Sequence, residues 1–396
     1  MIQNKTIILG VSGGIAAYKS VELLRLLTGA GATVRVVMTR NAQWFVGPMT
    51  FKALSGQPVC TGLFEDDGDA SIRHIDWARE ADAVIIAPAT ANIIAKLANG
   101  IADDALSTLL LAVTAPVFVC PAMNTHMFDS RPVQLNLERL REMGYTVMAP
   151  ASGHLACGTT GPGRLPDPAL ILDRLISGLT PKDFQGKRVL VTAGPTYEAM
   201  DPVRFIGNPS SGKMGYAIAR AAEQRGAEVT LVSGPSHLPD PLNMATVRVR
   251  SAGEMASAVF EYADRMDVII KAAAVSDYRP IEIAANKIKK DKDELRLTLT
   301  KNQDILRALG RMKKKQVLVG FAAETEDLKK NAEKKLIEKN CDIIVANLVG
   351  HSHSGFGSDT NQVTLFFKDG RVESLDTMEK ESVARILLDR VKERFS

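Results

Sequence analysis

At 396 residues the chain is long enough for two or three domains of about 150 residues each, and its 45% hydrophobic and 24% charged residues match ordinary globular usage. Disorder, collagen and a small disulfide scaffold are excluded. The balance of 49 Lys+Arg against 45 Asp+Glu gives +4, too mild to imply nucleic acid by itself, and 5% aromatics disfavour a stacking platform for single strands. The charge is uneven: residues 1–180 carry 14 basic and 15 acidic side chains, the remainder 35 and 30, so a polyanionic ligand is expected in the second part. Cys60, Cys120, Cys157 and Cys341 stand far apart without zinc-ligand spacing. The apolar stretch at 6–11 is too brief for a secretory core, and no run approaches the ~18 residues of a membrane span. A cytoplasmic protein with reduced thiols and no membrane partner is expected.

In chain order, residues 5–39 read as strand (TIILGV), Gly-rich turn, helix, Gly-Ala stop and strand (TVRVVMT). The runs ADAVIIAPAT and PVFVCPAMN follow, then the glycine-rich HLACGTTGPGR at 154–164. The Gly/Pro-containing stretch 177–186 reads as a linker. Residues 187–233 then repeat the opening pattern, and DVIIKAAAVSDY and QVLVGFAAET echo the later runs. Short apolar runs ending in small or polar residues suit buried parallel strands, whose carboxyl ends carry the ligand loops of open α/β sheets. Met214, Ala217, Ile218, Ala221 and Ala222 recur on one helical face. Residues 279–300 are Lys-rich and then alternate (ELRLTLT) like an exposed flap, and 373–395 reads as a closing helix. The fold class expected is α/β, two doubly wound Rossmann-like parallel-sheet domains in tandem, 1–180 and 181–396, the second with the Lys-rich flap.

Backbone N–H groups of the turn GVSGGIAAYK can hold a phosphate at the start of a helix, but the turn is not GxGxxG and does not specify a dinucleotide. His74 (RHIDWA) reads as either a base or a surface histidine, Asn124 (PAMN) as either a ligand or a cap, and Cys157 as either a lid thiol or a buried hydrophobe. The glycines at 153, 158, 161 and 163, with Arg164, favour a lid. In the second half, GNPSSGKM (207–214) nearly matches the GxxxxGK[ST] phosphate loop. Met214 replaces the Mg²⁺-ligating hydroxyl, and the loop starts more than ten residues after its strand, so a true P-loop is rejected while an anion site is retained.

GGIAAYK, the HI motif followed by WAREAD, PAMN and GxLACGxxGxGR together resemble the flavoprotein decarboxylase half of the bifunctional coenzyme A biosynthesis family, phosphopantothenoylcysteine decarboxylase/phosphopantothenate–cysteine ligase. The second half resembles the ligase, so the resemblance covers nearly the whole chain. It implies FMN bound at Gly13, Gly14, Thr39, Pro88, Ala89 and Thr90. It also implies His74 as the catalytic histidine, Asn124 on the substrate carboxylate and Cys157 as proton donor. Trp77 departs from the smaller apolar residue usual there. The chemistry is coherent with those groups. N-acylation of cysteine removes the amine a Schiff-base cofactor needs, so another electron sink must prepare the carbon β to the carboxylate for loss of CO₂.

On the ligase side the resemblance places Asn208 at the pantothenate carboxylate and acyl-nucleotide, and Lys287 at the triphosphate. The implied CTP contacts are Ala273, Asp277, Lys287, Gln303, Asp304, Ile305, Leu306, Phe321, Lys335 and Lys339. Ser276 and Gln303 are small departures from the family pattern. Lys335 and Lys339, four apart on one helical face, repel unless an anion lies between them; Glu333 and Glu338 offer the alternative of a solvated face. Mg²⁺ is implied with CTP. The small-molecule partners implied are 4'-phosphopantothenate, cysteine, CTP and 4'-phosphopantothenoylcysteine, with a homo-oligomer built from trimeric flavin-domain and dimeric ligase-domain contacts. His351 and His353 lack a third ligand, and no structural metal is assigned. A flavoprotein-like regulatory module without decarboxylase activity is the alternative; the lid Cys157 and the ligase half weigh against it.

Overall fold

The computed structural model describes residues 2–63, 73–155, 158, 160–289, 295–324, 326–348 and 357–395. The chain separates into two compact units, Met1–Thr180 and Pro181–Ser396. No helix among the described residues is long and apolar enough to cross a membrane.

In the first unit a six-stranded, all-parallel sheet runs from edge to edge as Val59–Cys60, Thr33–Met38, Thr6–Val11, Ala83–Ala89, Val117–Pro121 and Thr146–Val147. The chain reverses its direction of travel across the sheet between Thr6–Val11 and Ala83–Ala89. Both faces are covered, which is why the strands read as unbroken apolar runs rather than alternating ones. Ile7, Leu9, Ile85 and Ala87 enter one core, and Ile8, Val84 and Ile86 the other. The helix Ala17–Gly29 buries Ala17, Ser20, Leu23, Leu24 and Leu27 against the first of these. Trp77, the unusual residue, is buried in the second, with the Arg35 guanidinium 5.4 Å over its ring.

The second unit carries an eight-stranded sheet in the order Ala245–Arg248, Glu228–Ser233, Arg188–Ala193, Val268–Lys271, Val317–Glu324, Ile343–Leu348, Thr364–Phe367 and Val372–Ser374. The first six strands are parallel, but the last two are antiparallel, so the expectation of a wholly parallel sheet is corrected at this edge. A tight turn through Gly370, at φ 87°, joins those two strands, and so short a connection permits only an antiparallel return. The helix Lys213–Gln224 buries Ile218, Ala221 and Ala222, with Met214 and Ala217 packed partly against the same core. A Cβ at Gly215 would lie 2.5 Å from that of Ala193, so glycine sets how closely this helix approaches the sheet. The closing helix is Lys380–Lys392, and its buried face is Val383, Ala384, Leu387, Leu388 and Val391.

Little of the segment 177–186 is free to act as a linker. The helix Pro168–Leu179 runs into it, and Phe184 is fully buried in the second unit's core. The flap begins and ends as an antiparallel pair, Tyr278–Pro280 with Leu299–Lys301. A short hairpin, Tyr197–Ala199 with Phe205–Gly207, stands beside it. Asp201 in that hairpin accepts the Val203 and Arg204 N–H groups on one oxygen and the Ile288 N–H on the other, at 2.7, 2.7 and 3.1 Å. The Ala284 N–H donates to the Met200 carbonyl at 3.0 Å, a second tie between hairpin and flap.

Candidate active sites

At the carboxyl ends of the first unit's central strands lies a cavity of about 760 Å³. Gly13, Gly14, Thr39, Thr90 and Asn124 all line it. The Ser12 hydroxyl ties two of the loops together, donating to the Pro88 carbonyl at 2.7 Å and accepting the Thr90 N–H at 3.0 Å. Gly13 is there because a Cβ would come within 2.4 Å of that of Asn41. The Thr39 N–H donates to the Val11 carbonyl at 3.0 Å, while its buried Oγ1 has no hydrogen-bond partner among the described residues. A buried hydroxyl left in this state at a cavity wall fits a ligand that supplies the missing partner. Pro88 and Ala89 are buried in the strand beneath the cavity rather than in its wall; the Ala89 carbonyl accepts the Ala122 N–H at 2.9 Å and so supports the PAMN loop.

Asn124 does two things at once. Its Oδ1 accepts the His126 N–H at 2.8 Å, capping the short helix Thr125–Phe128, and the residue also lines the cavity. His74 lies half-buried on the helix Arg73–Glu80 and is not in the lining. Cys157 lies outside the described residues, in sequence between the paired strands Ala151–His154 and Thr160–Arg164. His154 and Arg164 from those strands reach the cavity.

Sequence reasoning did not single out Lys96, whose ammonium reaches this cavity and bonds to Asp103 at 2.6 Å and Asp104 at 2.7 Å. Burial works against that charge, but the two carboxylates outweigh it and hold the ammonium above its usual pKa. Asp104 also caps the helix Ala105–Ala112 through the Ser107 N–H. No motif signals this cluster; the fold brings the end of one helix to the start of the next.

The second unit has a smaller cavity, about 350 Å³, again at strand ends. Asn208 lines it and donates from Nδ2 to the Ala274 and Val275 carbonyls at 3.1 and 3.3 Å. Gly212, at φ 82°, caps the helix that follows. The hairpin Tyr197–Ala199/Phe205–Gly207 separates that helix from the strand Arg188–Ala193, which is why the loop does not form a P-loop turn. Ala273, Asp277, Gln303, Asp304, Leu306, Phe321, Lys335 and Lys339 are all in the wall. Ile305 is buried behind it, and Lys287 is exposed on the flap outside the lining.

The argument that Lys335 and Lys339 repel is corrected by their neighbours. Lys335 pairs with Glu324 at 2.6 Å and Lys339 with Asp304 at 3.1 Å, partners distant in sequence from the helical glutamates considered above. Burial raises the pKa of Asp304, but the Arg307 N–H and the Lys339 ammonium outweigh it, and its carboxyl stays below the usual range. Sequence reasoning also missed Lys380 and Lys271. Lys380, itself buried, donates to the Ser358 carbonyl; burial and the nearby Lys213 charge depress its pKa. Among the described residues no group of three or more His, Cys, Asp or Glu is placed to hold a metal ion; His351 and His353 lie outside them.

Known proteins divide the chain in the same way. Residues 1–180 match the Flavoprotein family model, and residues 184–395 match the model of the DNA/pantothenate metabolism flavoprotein C-terminal domain. The coenzyme A biosynthesis bifunctional protein CoaBC of Bacillus subtilis (strain 168) is 49% identical over 395 residues, covering 99% of this chain and 97% of that protein. Its counterpart in Escherichia coli (strain K12) is 46% identical over 399 residues, covering 100% and 98%. Among solved structures, the C-terminal domain of a coenzyme A biosynthesis bifunctional protein CoaBC is 48% identical, covering 54% of this chain and 97% of that one at a TM-score of 0.47. A PPC decarboxylase mutant complexed with pantothenoylaminoethenethiol is 31% identical, covering 44% and 97% at a TM-score of 0.40. Full-length identity to these relatives, with both family models matched in order, means that the chain belongs to the coenzyme A biosynthesis bifunctional protein CoaBC family.

Proposed function

We infer that the chain makes and then decarboxylates one molecule, with residues 181–396 as the ligase domain and 1–180 as the flavoprotein decarboxylase domain. The ligase domain activates 4'-phosphopantothenate with CTP to an acyl-CMP and couples it to cysteine. The decarboxylase domain converts the resulting 4'-phosphopantothenoylcysteine to 4'-phosphopantetheine. The observation that carries this reading is that residues from the two motif sets converge on two cavities, one in each unit.

FMN supplies the electron sink in the first cavity when bound. Gly13 and Gly14 would hold it with backbone N–H groups free of side-chain bulk, and the Thr39 hydroxyl would gain its missing partner there. Asn124 holds the substrate carboxylate, its orientation fixed by the cap it makes. His74 takes the thiol proton and Cys157 returns a proton to the product. Because His74 is not in the wall of its own chain's cavity, the reading has a second copy bring it there. Ile15, Tyr18, Trp44, Phe45 and Met49, all exposed, support such a contact, with Ile15 and Tyr18 at the cavity itself. Trimeric contacts of this domain are therefore part of the proposal.

In the second cavity, lysines neutralise the triphosphate so that the substrate carboxylate attacks the α-phosphorus and pyrophosphate leaves; Mg²⁺ arriving with CTP would add to that neutralisation. Asn208 orients the carboxylate, and Lys287 acts from the flap. Exposed Val203, Phe205, Ile281, Ile283 and Leu297 on hairpin and flap support dimeric contacts of this domain. We also propose a cytoplasmic location.

The test supplies purified protein with CTP, Mg²⁺, 4'-phosphopantothenate and cysteine, and measures pyrophosphate, CO₂ and 4'-phosphopantetheine. Pyrophosphate should appear with 4'-phosphopantothenate before cysteine is added, and the chromophore released on denaturation should be FMN. A colourless protein, or pyrophosphate release indifferent to 4'-phosphopantothenate, overturns the reading.

A further inference from the structure

Five lysines line the second cavity: Lys213, Lys271, Lys335, Lys339 and Lys380. Four of them already have a protein partner: Lys213 bonds to Asp359, Lys335 to Glu324, Lys339 to Asp304 and Lys380 to the Ser358 carbonyl. The Lys271 side chain makes no hydrogen bond or ion pair among the described residues. Yet it is the last residue of the strand Val268–Lys271, which lies between Arg188–Ala193 and Val317–Glu324 in the middle of the sheet. Surface lysines extend into water to solvate their charge; this one ends in the wall of the ligand cavity.

The charged and titratable groups that face Lys271 come from four directions. Lys339 follows the helix Leu328–Glu338, Asp304 heads the helix Ile305–Met312, Asp277 lies beyond Lys271's own strand, and Cys341 precedes the strand Ile343–Leu348. Burial, reinforced by the Lys339 charge, lowers the Lys271 ammonium to about 8, against the opposing pull of Asp304, Asp277 and Cys341. Asp304 is engaged by Lys339 at 3.1 Å, so its charge is shared. The same strand end continues into Ala274 and Val275, whose carbonyls hold the Asn208 amide. Lys271 and Asn208 therefore flank one stretch of cavity floor.

We propose that Lys271 is a further binding residue of this cavity, its ammonium supplying the counter-charge for a ligand phosphate held over the strand ends. The inference deepens the ligase reading and rests on it. Two ligands of that reaction carry phosphate, CTP and 4'-phosphopantothenate, and the experiment assigns the contact to one of them. The contact links binding to protonation. A phosphate beside the ammonium restores its pKa, so binding takes up a proton wherever the free group is partly neutral. Uptake should be small at pH 6.5, about half a proton at pH 8 and nearer one at pH 9, and affinity should fall as pH rises through about 8.

The experiment is titration calorimetry of the full chain at pH 8 in two buffers of different ionisation enthalpy, with CTP alone and with 4'-phosphopantothenate alone. The phosphates themselves are ionised at that pH. Wild type should take up about half a proton with one of the two ligands. Lys271→Arg should keep affinity within a few-fold and lose the uptake, since a guanidinium stays charged. Lys271→Met should lose the uptake and weaken the same ligand by about tenfold or more, with the other ligand unchanged. No uptake with either ligand in wild type, or undiminished uptake in Lys271→Arg, overturns the assignment. Should Lys271→Met not fold, the wild-type and Lys271→Arg proton counts still decide. Wild type that binds neither ligand removes the ligase reading and this inference with it, whereas binding without uptake removes the Lys271 role alone.

Discussion

Both cavities open at the carboxyl ends of parallel strands, yet their walls are built differently. In the first unit the strand Thr6–Val11 hands over to the helix Ala17–Gly29 through a tight run of small residues. Backbone of that turn therefore meets the cavity directly, beside the Thr39 hydroxyl and the side chains of Lys19, Arg40, Lys96 and Arg164 from other elements. In the second, a whole hairpin intervenes between Arg188–Ala193 and Lys213–Gln224, and the wall is crowded by lysines from several elements. The contrast teaches that the frame fixes where a ligand sits, while the length of one strand–helix connection sets how closely backbone approaches it. A wall in which a small-residue turn brings backbone close suits a planar redox group with a phosphate tail; one crowded by lysines suits a polyanion whose charge must be neutralised during displacement.

The sharpest way to separate the two sites is His74→Asn. Decarboxylation of supplied 4'-phosphopantothenoylcysteine should fall by ~10²–10⁴-fold, the range for a general base, while CTP-dependent ligation stays at wild-type rates. Mixing chains that carry His74→Asn with chains that carry Asn124→Asp should restore part of the activity if the two residues serve one cavity from different copies. Parallel loss of both activities would make His74 a folding residue.

Lys335→Gln is the reciprocal probe. It removes one cation from the wall and leaves Glu324 with only the Asn331 amide, so the KM for CTP should rise by about tenfold or more, from the worth of a charge-assisted hydrogen bond. Decarboxylase activity should not move. An unchanged KM would mean that the Glu324 pair is structural and that the triphosphate lies elsewhere.

Thr39→Val should have a smaller effect. It deletes a hydroxyl that has no partner among the described residues, so the melting temperature of flavin-free protein should hold or rise, whereas flavin retention should weaken by about 0.5–1.5 kcal/mol. A variant that keeps its flavin as tightly as wild type places the ligand away from Thr39.

The mildest effect concerns acid stability. Arg225, with Lys392 and against partial burial, holds the Asp183 carboxyl down at about 2 from an ordinary 3.8. Because the folded value is the lower one, the stabilisation is complete above pH 3.8 and is lost as the pH falls towards 2. Asp183→Asn should flatten the acid limb of the second unit's unfolding, followed by Tyr216 fluorescence or site-resolved exchange, and leave the first unit's limb alone. A limb that stays equally steep assigns acid sensitivity to other carboxylates.

The frame was legible in the sequence because buried parallel strands leave apolar runs, and glycines mark the turns that end them. Gly13 and Asn124 lie just past such runs, whereas Asn208 and Lys339 were singled out through the resemblance of their motifs to a known family. What stayed hidden depends on contacts between distant segments. Lys271 reads as the end of a strand, and nothing near it in sequence says that Lys339 and Asp304 will face it. Lys96 finds Asp103 and Asp104 only because one helix stops where the next begins. Pro88, Ala89 and Ile305, implied as contacts by the resemblance, are buried just behind the walls, a placement that only the packing reveals.

Asp201 joins parts of the chain that are 87 positions apart. Its carboxylate grips two amides of the hairpin and one of the flap, so these three N–H groups share a single fate in hydrogen exchange. They should open together, with one common rate, whereas amides at 295–298, which lie outside that grip, exchange on their own clock. Lys287 adjoins the gripped Ile288 amide, so its backbone is tied to the hairpin. The stem on which that charge is carried is anchored from a hairpin far upstream, by a residue with no chemistry of its own.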